Sequence, residues 1–538
     1  MKRTPIVLLL LISAACTSSS RPSAPPPAAS TPSITPTPVP LSRLDPNVVE
    51  ETDTYVITRL PKKDYIRVDD RHIRHPVIGF AVEFFKEDEE YYYTIQNKRL
   101  PEEEALRRGT PRASNAPPMQ RTPEASKVPL SDFEDLNPPR SAAPIRLVEA
   151  EKTGLPTSGM WRASFVVADM NGDGIPDIVA PPPRIGDNKL HIWVGNGKGG
   201  FTEWPLSFFS EDGKPTTTFG IGYGGVAVGD IDGDGKMDVV SASHGGGLVA
   251  LLGDGKGGFT TSRKGLPARD FSSQAVALLD ADGDGKLDIV ASRDVPEASE
   301  TRKLDYQQIR VYLNRGSNGW EFKPDGLVGG LYSTSLTAWD YDRDGRVDVL
   351  SGSNYSGGLT LVWKNKGDGS FSGVIFDAVE IYAYHFVTVP GTFGRSRHPA
   401  FAGTYLMTTN VPEPARAIGI TVYAYADGNW TRHRVWRKKD GKSMLYAVAM
   451  GDLDGDGLDD VVFADSEARR LRLFFQRPDG SFFEAAQADE PSIDSPGQCI
   501  RLADLDGDGR LDIVLSKTIT SADPRDKGGW NVYWNRAK

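Results

Sequence analysis

Carboxylates at one fixed spacing recur six times between residues 169 and 512. Each copy follows the pattern D-x-[DN]-x-D-G-x-x-D, so the side chains at positions one, three and five alternate on a turning loop and converge on one point. Glycine at position six permits the sharp bend, the carbonyl at position seven adds an oxygen, and the aspartate at position nine closes the shell. Hard oxygen ligands in this number suit Ca²⁺ rather than Zn²⁺ or Mg²⁺. The predicted ligand sets are Asp169, Asn171, Asp173 and Asp177; Asp230, Asp232, Asp234 and Asp238; Asp280, Asp282, Asp284 and Asp288; Asp340, Asp342, Asp344 and Asp348; Asp452, Asp454, Asp456 and Asp460; and Asp504, Asp506, Asp508 and Asp512.

An EF-hand is the competing interpretation of this pattern, and two features exclude it. The loops are flanked by β-branched residues typical of strands, whereas an EF-hand loop joins two helices. Position twelve of an EF-hand is Glu, but no copy has Glu there. The residues at that position are Ala180, Ser241, Ala291, Ser351, Phe463 and Leu515.

The elements that must hold these loops belong to a longer repeat. An apolar run precedes each loop and a Val/Ile run follows it, and the first aspartates are 61, 50, 60, 112 and 52 residues apart. Because 112 is about twice the usual step, we predict a degenerate seventh unit, with its remnant at residues 386–405 and without a metal. Four short strands per unit, separated by glycine turns, predict an all-β, seven-bladed β-propeller.

The two ends of the repeat region predict how the ring closes. The last unit stops at its third strand, WNVYWNR (residues 530–536). A matching outer strand, IRLVEA, lies before the first unit at residues 145–150 and precedes KTGLP, just as the outer strand of the second unit precedes KGLP. We therefore predict that this N-terminal strand completes the last blade, which removes open sheet edges.

On these six loops, residues 144–535 resemble the FG-GAP/VCBS repeats of integrin α-subunit propellers and of many bacterial surface proteins. The resemblance implies about six calcium ions in loops that join the first and second strands of a blade, on the face opposite the usual ligand site. It implies that these ions are mostly structural, with direct bridging of a ligand by calcium as the alternative. The fifth unit departs from the family by lacking every carboxylate.

Aromatic residues stand just before the predicted inner strands, on the face opposite the loops. They would ring the mouth of the central channel and suit sugar stacking or a protein anchor; the alternative is that they pack the hub. The predicted partner is a protein or glycan on this face. The residues are Trp161, Tyr223, Phe271, Tyr332, Tyr384, His385 and Tyr446.

Catalytic motifs are absent from the sequence. The three G-x-G-x-x-G matches open no helix, no nucleophile elbow or H-E-x-x-H occurs, and the seven histidines are scattered. No catalytic residue is therefore predicted, and a polysaccharide-acting lyase or hydrolase on a calcium propeller remains the alternative function. With a net charge of −10, the chain also lacks the basic character of nucleic-acid binders.

The N-terminus predicts export. Residues 1–15 have a short basic end and a short apolar run, as a secretory signal does. Cys16 after two alanines resembles a bacterial lipobox, although Ser13 replaces the usual Leu and ordinary cleavage is the alternative. Because Thr17 follows the cysteine, the resemblance implies an outer-membrane or cell-surface lipoprotein, with a periplasmic or secreted protein as the alternative.

Four further segments complete the predicted organisation. A Pro/Ser/Thr-rich tether spans 16–45, a small β-rich module 46–107, a Pro-rich linker 108–143 and the propeller 144–538. The sequence thus predicts a calcium-stabilised extracytoplasmic module for binding, adhesion or scaffolding on the bacterial envelope.

Overall fold

The structure is a computed structural model that describes parts of residues 48–97 and most of residues 134–538. The described residues are 48–51, 55–62, 66–67, 72–74, 81–83, 86–97 and 134–538, the last with gaps at 163, 187, 217–220, 245, 268–270, 294–308, 328–332, 353–359, 376–386, 408–416, 440, 442–444, 521–522 and 524. The predicted signal peptide, Cys16 and the tether lie outside these residues. No helix in the described part is long and apolar enough to cross a membrane.

Seven short strands lie within the segment predicted as a β-rich module. They form two sheets, with strand orders β1-β2-β7-β6 and β3-β4-β5. Their bounds are β1 (Val48–Glu51), β2 (Tyr55–Pro61), β3 (Ile66–Arg67), β4 (His72–Arg74), β5 (Ala81–Glu83), β6 (Lys86–Glu87) and β7 (Tyr91–Asn97).

Two strands come next, before the first acidic loop, and each joins a sheet from the far end of the chain. They are β8 (Arg140–Ser141) and β9 (Ile145–Glu149). After them, seven sheets follow one another along the chain, and the four strands of each blade, counted from the channel outward, run antiparallel. Two sheets have an extra outer strand that pairs in parallel with the fourth strand: Ser207–Phe209 in blade 2 and β8 in blade 6. Each sheet forms one blade of a propeller, so the predicted seven-bladed, all-β architecture is confirmed.

The first four blades contain one loop pattern each, between their first and second antiparallel strands. Blade 1 has β10 (Val166–Ala168), β11 (Asp177–Ala180), β12 (His191–Gly195) and β13 (Phe201–Glu203); blade 2 has β14 (Ser207–Phe209), β15 (Val226–Gly229), β16 (Asp238–Ser243), β17 (Gly247–Gly253) and β18 (Gly258–Ser262); blade 3 has β19 (Ser273–Leu279), β20 (Asp288–Arg293), β21 (Ile309–Asn314) and β22 (Trp320–Lys323); blade 4 has β23 (Leu336–Trp339), β24 (Asp348–Ser351), β25 (Thr360–Asn365) and β26 (Phe371–Ile375).

The remaining three blades include the degenerate unit, which is blade 5. Its first two strands meet in a tight turn at residues 394–397 instead of an acidic loop. Two 3-10 turns, Gly316–Asn318 and Gln487–Asp489, follow the third strand of blade 3 and the fourth strand of blade 6. Blade 5 has β27 (Thr388–Phe393), β28 (His398–Met407), β29 (Ala417–Ala426) and β30 (Asn429–Lys439); blade 6 has β31 (Val448–Gly451), β32 (Asp460–Asp465), β33 (Arg470–Gln476) and β34 (Phe482–Ala485); blade 7 has β35 (Gly497–Ala503), β36 (Asp512–Lys517) and β37 (Gly529–Ala537).

The core is divided into seven apolar clusters, one at each seam between neighbouring blades. The second strand of a blade packs on both faces, which is why its sequence is a continuous apolar run and not an alternating one. Every residue of β16 (DVVSAS) and of β36 (DIVLSK) is buried. The ring is therefore held by side-chain packing between blades, and the first strands line its central channel.

Ring closure follows the sequence prediction. Strand β9 pairs antiparallel with β37, with Val148 opposite Trp534, and completes blade 7. Ile145 is buried in the cluster between blades 6 and 7. The predicted closing strand is confirmed.

The segment just before β9 differs from its predicted role as linker. Strand β8 adds to blade 6 in parallel with β34, and Arg140 pairs with Glu484 at 2.6 Å. Leu136 exchanges backbone hydrogen bonds with Arg437 of blade 5. The end of the Pro-rich segment thus packs on the propeller. The outermost strands of blades 5 and 6 supply hydrogen-bond partners for its backbone, and Glu484 pairs with Arg140.

Candidate metal loops and central channel

The acidic loops share one backbone geometry, in which the aspartate at position one organises the turn. Asp504 Oδ1 accepts from Gly507 N at 2.8 Å, and its Oδ2 accepts from Gly509 N at 2.9 Å. Gly507 and Gly509 have φ of 77° and 83°, a left-handed conformation that glycine adopts without steric cost. The fourth loop places Arg343 at the first of these two positions, with φ 58°.

The aspartate at position nine ties the loop to the third strand of its blade. Asp512 Oδ2 accepts from Leu505 N at 3.0 Å, and Oδ1 accepts from Asn535 N at 2.8 Å. All six loops repeat this pair of contacts at Asp177, Asp238, Asp288, Asp348, Asp460 and Asp512. The carboxylate that closes the predicted metal shell is therefore fixed in place by the blade itself.

Burial opposes the ionised form of these position-nine carboxylates. It raises the pKa of Asp238 and Asp512 to about 6 and that of Asp288 and Asp348 to about 7, against the lowering effect of the two backbone hydrogen bonds. Burial also raises the pKa of Asp460 well above its usual value. A nearby cation lowers the pKa of such groups and so favours their ionised form. A bound metal ion would therefore offset the cost of burying these carboxylates.

Carboxylate oxygens converge in five of the loops. In each, three aspartates place one oxygen apiece within 4.8 Å of one another, as Asp280, Asp282 and Asp288 do. Two buried oxygens at position three, Asp342 Oδ1 and Asp506 Oδ1, have no hydrogen-bond partner among the described residues. Carboxylate oxygens that lie close together, two of them without a hydrogen-bond partner among the described residues, form a donor set that suits a hard divalent cation. The first loop differs, because Asn171 Nδ2 donates to Asp173 Oδ2 at 3.0 Å.

Three of the loops are also contacted by a basic side chain at the end of the third strand of their blade, which the sequence pattern did not predict. Arg315 lies 2.7 Å from Asp282 in blade 3. Lys364 contacts Asp342 and lies 3.2 Å from Asp344 in blade 4. In blade 7, Arg536 contacts Asp506 and lies 2.8 Å from Asp508.

A buried amide at the end of the third strand joins neighbouring blades in four places. Asn535 Nδ2 donates to Leu453 O of blade 6 at 2.6 Å and to Leu511 O of its own blade at 3.1 Å. Sequence reasoning missed these residues, although a signal was present, since each amide precedes a Lys or Arg at the same place in its repeat. They are Asn314, Asn365, Gln476 and Asn535.

The central channel encloses about 610 Å³ and is lined by the first strands of all seven blades. Tyr223 and Tyr446 of the predicted aromatic set line it. The loops follow the C-terminal ends of these strands, whereas the two tyrosines precede the N-terminal ends. The described part of the mouth is therefore at the opposite end of the propeller from the acidic loops.

Trp161 and Phe271 do not line the channel, contrary to their predicted place at its mouth. Trp161 packs between blades 7 and 1, with its ring centroid 5.4 Å from those of Trp193 and Trp530. Phe271 has no exposed surface and packs under Arg310, whose guanidinium carbon is 4.7 Å from the ring centroid. Both rings belong to the apolar clusters at the seams between blades, where removal of a large apolar ring from water is favourable. Tyr332, Tyr384 and His385 lie outside the described residues.

Comparison with known proteins identifies the repeat. Residues 184–241, 230–291 and 452–515 match the FG-GAP-like repeat. No curated protein sequence matches the chain. Among solved structures, BBS1N in complex with ARL6DN is similar at 11% identity over 73% of this chain and 97% of that chain, with a TM-score of 0.42.

Two enzymes are also similar in structure. An ancestral GH74 enzyme matches at 11% identity over 72% of this chain and 48% of that chain, with a TM-score of 0.41. The Pseudomonas aeruginosa periplasmic gluconolactonase PpgL matches at 12% identity over 62% of this chain and 86% of that chain, with a TM-score of 0.37.

Proposed function

We propose that this seven-bladed propeller with FG-GAP-like repeats is a calcium-stabilised binding or scaffold module on the bacterial envelope. The observation that carries the proposal is that the two ends of the inner strand differ in six of the seven blades. Acidic loops follow one end of the strand, and an open channel mouth, with no Asp or Glu among its described lining residues, precedes the other. Metal at the loops would stabilise the blades while the opposite face stays available for a partner.

Calcium is the ion proposed for the loops, at about one ion per acidic loop. The donor set consists of oxygens alone, and binding to the folded state would offset the repulsion between clustered carboxylates. When bound, the ion supplies charge neutralisation and fixes the turn. The residues of the chain position the carboxylates through the backbone hydrogen bonds described above.

Export and lipid anchoring at Cys16 complete the proposal, supported by the sequence of the first 17 residues. Substituting Cys16→Ala in the bacterial host should move the protein from the membrane fraction to the soluble extracytoplasmic fraction. A Cys499→Ala variant is the matched control, because Cys499 is buried in the propeller. Unchanged membrane association of Cys16→Ala would contradict the anchor.

An enzyme that cleaves polysaccharides has less support. Glycosidases use a pair of carboxylic side chains at the scissile bond, and no Asp or Glu lines the channel among the described residues. Pull-down of the full-length protein from native membranes, with and without calcium, tests the binding function. A partner retained only with calcium supports calcium-stabilised binding. Identical recovery in chelator contradicts the role of calcium, and no partner in either buffer contradicts the binding function.

A further inference from the structure

The described lining of the central channel carries positive charge although the chain as a whole is acidic. Its described lining includes three arginines, Arg162, Arg184 and Arg501, and no Asp or Glu. The chain carries a formal net charge of −10, so the positive charge of the described lining does not follow from the overall composition. A cleft lined by one sign of charge concentrates ligands of the opposite sign.

The three arginines gather at one side of the channel, around blade 1. The backbone N–H groups of Arg162 and Arg184 both donate to Met160 O, at 3.1 and 2.8 Å. Arg501 reaches across from blade 7, and its Nη2 donates to Ser164 Oγ at 2.7 Å. Two chain segments of blade 1 and one strand of blade 7 therefore bring these three lining residues to the same side of the channel.

Arg501 is held by neutral groups. Besides Ser164 Oγ, it donates through Nη1 to Ile500 O at 2.9 Å, and its guanidinium carbon lies 5.6 Å from the centroid of the Phe165 ring. None of these contacts cancels its charge. A guanidinium positioned in this way is preorganised to pair with a carboxylate or phosphate through parallel hydrogen bonds.

An aromatic surface lies beside these charges. The Arg184 guanidinium carbon is 5.4 Å from the centroid of the Tyr223 ring, and Tyr223 stacks on His244 with centroids 4.6 Å apart. Tyr446 lines the channel from blade 6. Burial together with Arg184 lowers the pKa of His244, so the positive charge near neutral pH comes from the arginines. Aromatic faces beside polar groups suit the apolar face of a sugar ring.

We propose that the channel mouth binds an anionic sugar, with its acidic group at Arg162 and Arg501 and its ring against Tyr223. This inference rests on the proposed binding function and names the ligand class for it. The volume of about 610 Å³ lies within the range of small-molecule pockets. A carboxylate and a phosphate share the chemistry that guanidinium groups recognise, and the experiment separates them.

The test is calorimetric titration of the full-length, calcium-loaded protein with glucuronate, glucose 6-phosphate and glucose. At least one anionic sugar should bind at least tenfold more tightly than glucose, and the preferred one identifies the acidic group. Arg162→Gln and Arg501→Gln should each weaken that binding at least tenfold. Arg146→Gln, on the exposed outer strand β9, is the matched control and should leave it unchanged.

Several outcomes would overturn the inference. Equal affinity for glucose and both anions would do so, as would no binding of either anion at millimolar concentration. Binding that survives both arginine substitutions in variants with wild-type melting temperatures would also contradict it. If calcium-dependent partners are recovered from membranes but no anionic sugar binds, the binding function stands and the anionic ligand is wrong.

Discussion

The backbone N–H of Asn535 donates to Asp512 Oδ1 at 2.8 Å, which joins the end of a third strand to the end of an acidic loop 23 residues earlier. The side chain of the same asparagine donates to Leu453 O in the preceding blade at 2.6 Å. One residue thus links the carboxylate that closes the predicted metal shell to the seam between two blades. Occupancy of the loops is therefore expected to affect the stability of the whole ring.

Removal of calcium should destabilise the propeller strongly. Each site that binds only the folded state adds about 2.7 kcal/mol when the ion is at one hundred times its dissociation constant. With several sites, we expect chelator to lower the melting temperature by more than about 10 °C. Differential scanning calorimetry in excess chelator and in calcium measures this. Magnesium at the same concentration is the control, and a negligible shift in chelator would contradict structural occupancy.

The pH dependence of stability should differ between calcium-free and calcium-loaded protein. Burial raises the pKa of Asp238 and Asp512 to about 6 and of Asp288 and Asp348 to about 7. Without metal, the folded state therefore binds protons more tightly than the unfolded state does. The contribution of these groups to the free energy of unfolding is present at low pH and is lost as pH rises from about 4 to about 7.

Calcium should reverse this dependence, because it binds the ionised carboxylates and its affinity rises with pH. Melting temperatures measured from pH 4.5 to 7.5 in chelator and in saturating calcium would show the two slopes. The difference between the two melting temperatures should widen as pH rises. A difference that narrows over this range would contradict the assignment of the buried aspartates as ligands.

The cations inside three of the loops should weaken metal binding there. Lys364 contacts Asp342 and Asp344, so calcium must displace its ammonium group. Lys364→Met should tighten the weakest class of calcium sites by several-fold, up to about tenfold, which is about 1.4 kcal/mol. Calcium titration against a competing chelator measures this. Lys366→Met, which alters an exposed neighbour on the same hairpin, should change nothing; weaker binding in Lys364→Met would instead show that the lysine supports the site.

Loss of an inter-blade amide should destabilise the ring. Asn535→Ala leaves the buried carbonyls of Leu453 and Leu511 without their side-chain donor, at an expected cost of about 1–3 kcal/mol. Asn531→Ala on the same strand removes a partly exposed contact with Glu149 and should stay within about 0.5 kcal/mol. Chemical unfolding of both variants in calcium tests this. Equal losses of unfolding free energy in the two variants would show that the hydrogen bond from Asn535 to the preceding blade stabilises the ring no more than the Asn531 contact does.

Ring closure by β9 should be essential for global stability. A chain that begins at residue 151 lacks the outer strand of blade 7 and the buried Ile145. We expect it to unfold at a markedly lower temperature than a chain that begins at residue 134. If thermal unfolding is the same for both, the closing strand does not hold the ring.

The sequence predicted the blades and their closure because both leave local signals. The acidic loops mark the first turn of six blades, and the similarity of KTGLP to KGLP marks the equivalence of β9 with a fourth strand. Blade 5 was found only from the doubled interval, since its turn at residues 394–397 lacks the pattern. Strand β8 was missed because its two residues in a Pro-rich segment carry no strand signal, and only the edge of blade 6 gives them partners.

The site was predicted less completely, because spacing gives the ligands but not their neighbours. The position-nine aspartates were predicted as ligands, but their hydrogen bonds to the third strand depend on blade geometry. Arg315, Lys364 and Arg536 reach the loops from positions more than 20 residues away in the sequence. The position of Trp161 and Phe271 before inner strands predicts a place at the mouth, yet both are buried at the seams between blades. Arg501 was overlooked because an arginine within an apolar strand pattern does not reveal which face it occupies.

The number of calcium ions bound per chain tests the central claim most directly. Equilibrium dialysis followed by atomic emission analysis should give about six ions for the wild-type protein, one for each acidic loop. Asp454→Ala should bind about one ion fewer, and Asp479→Ala, in the outer hairpin of the same blade, should bind the wild-type number. A wild-type protein that retains no calcium, or an Asp454→Ala variant with undiminished content, would contradict the account.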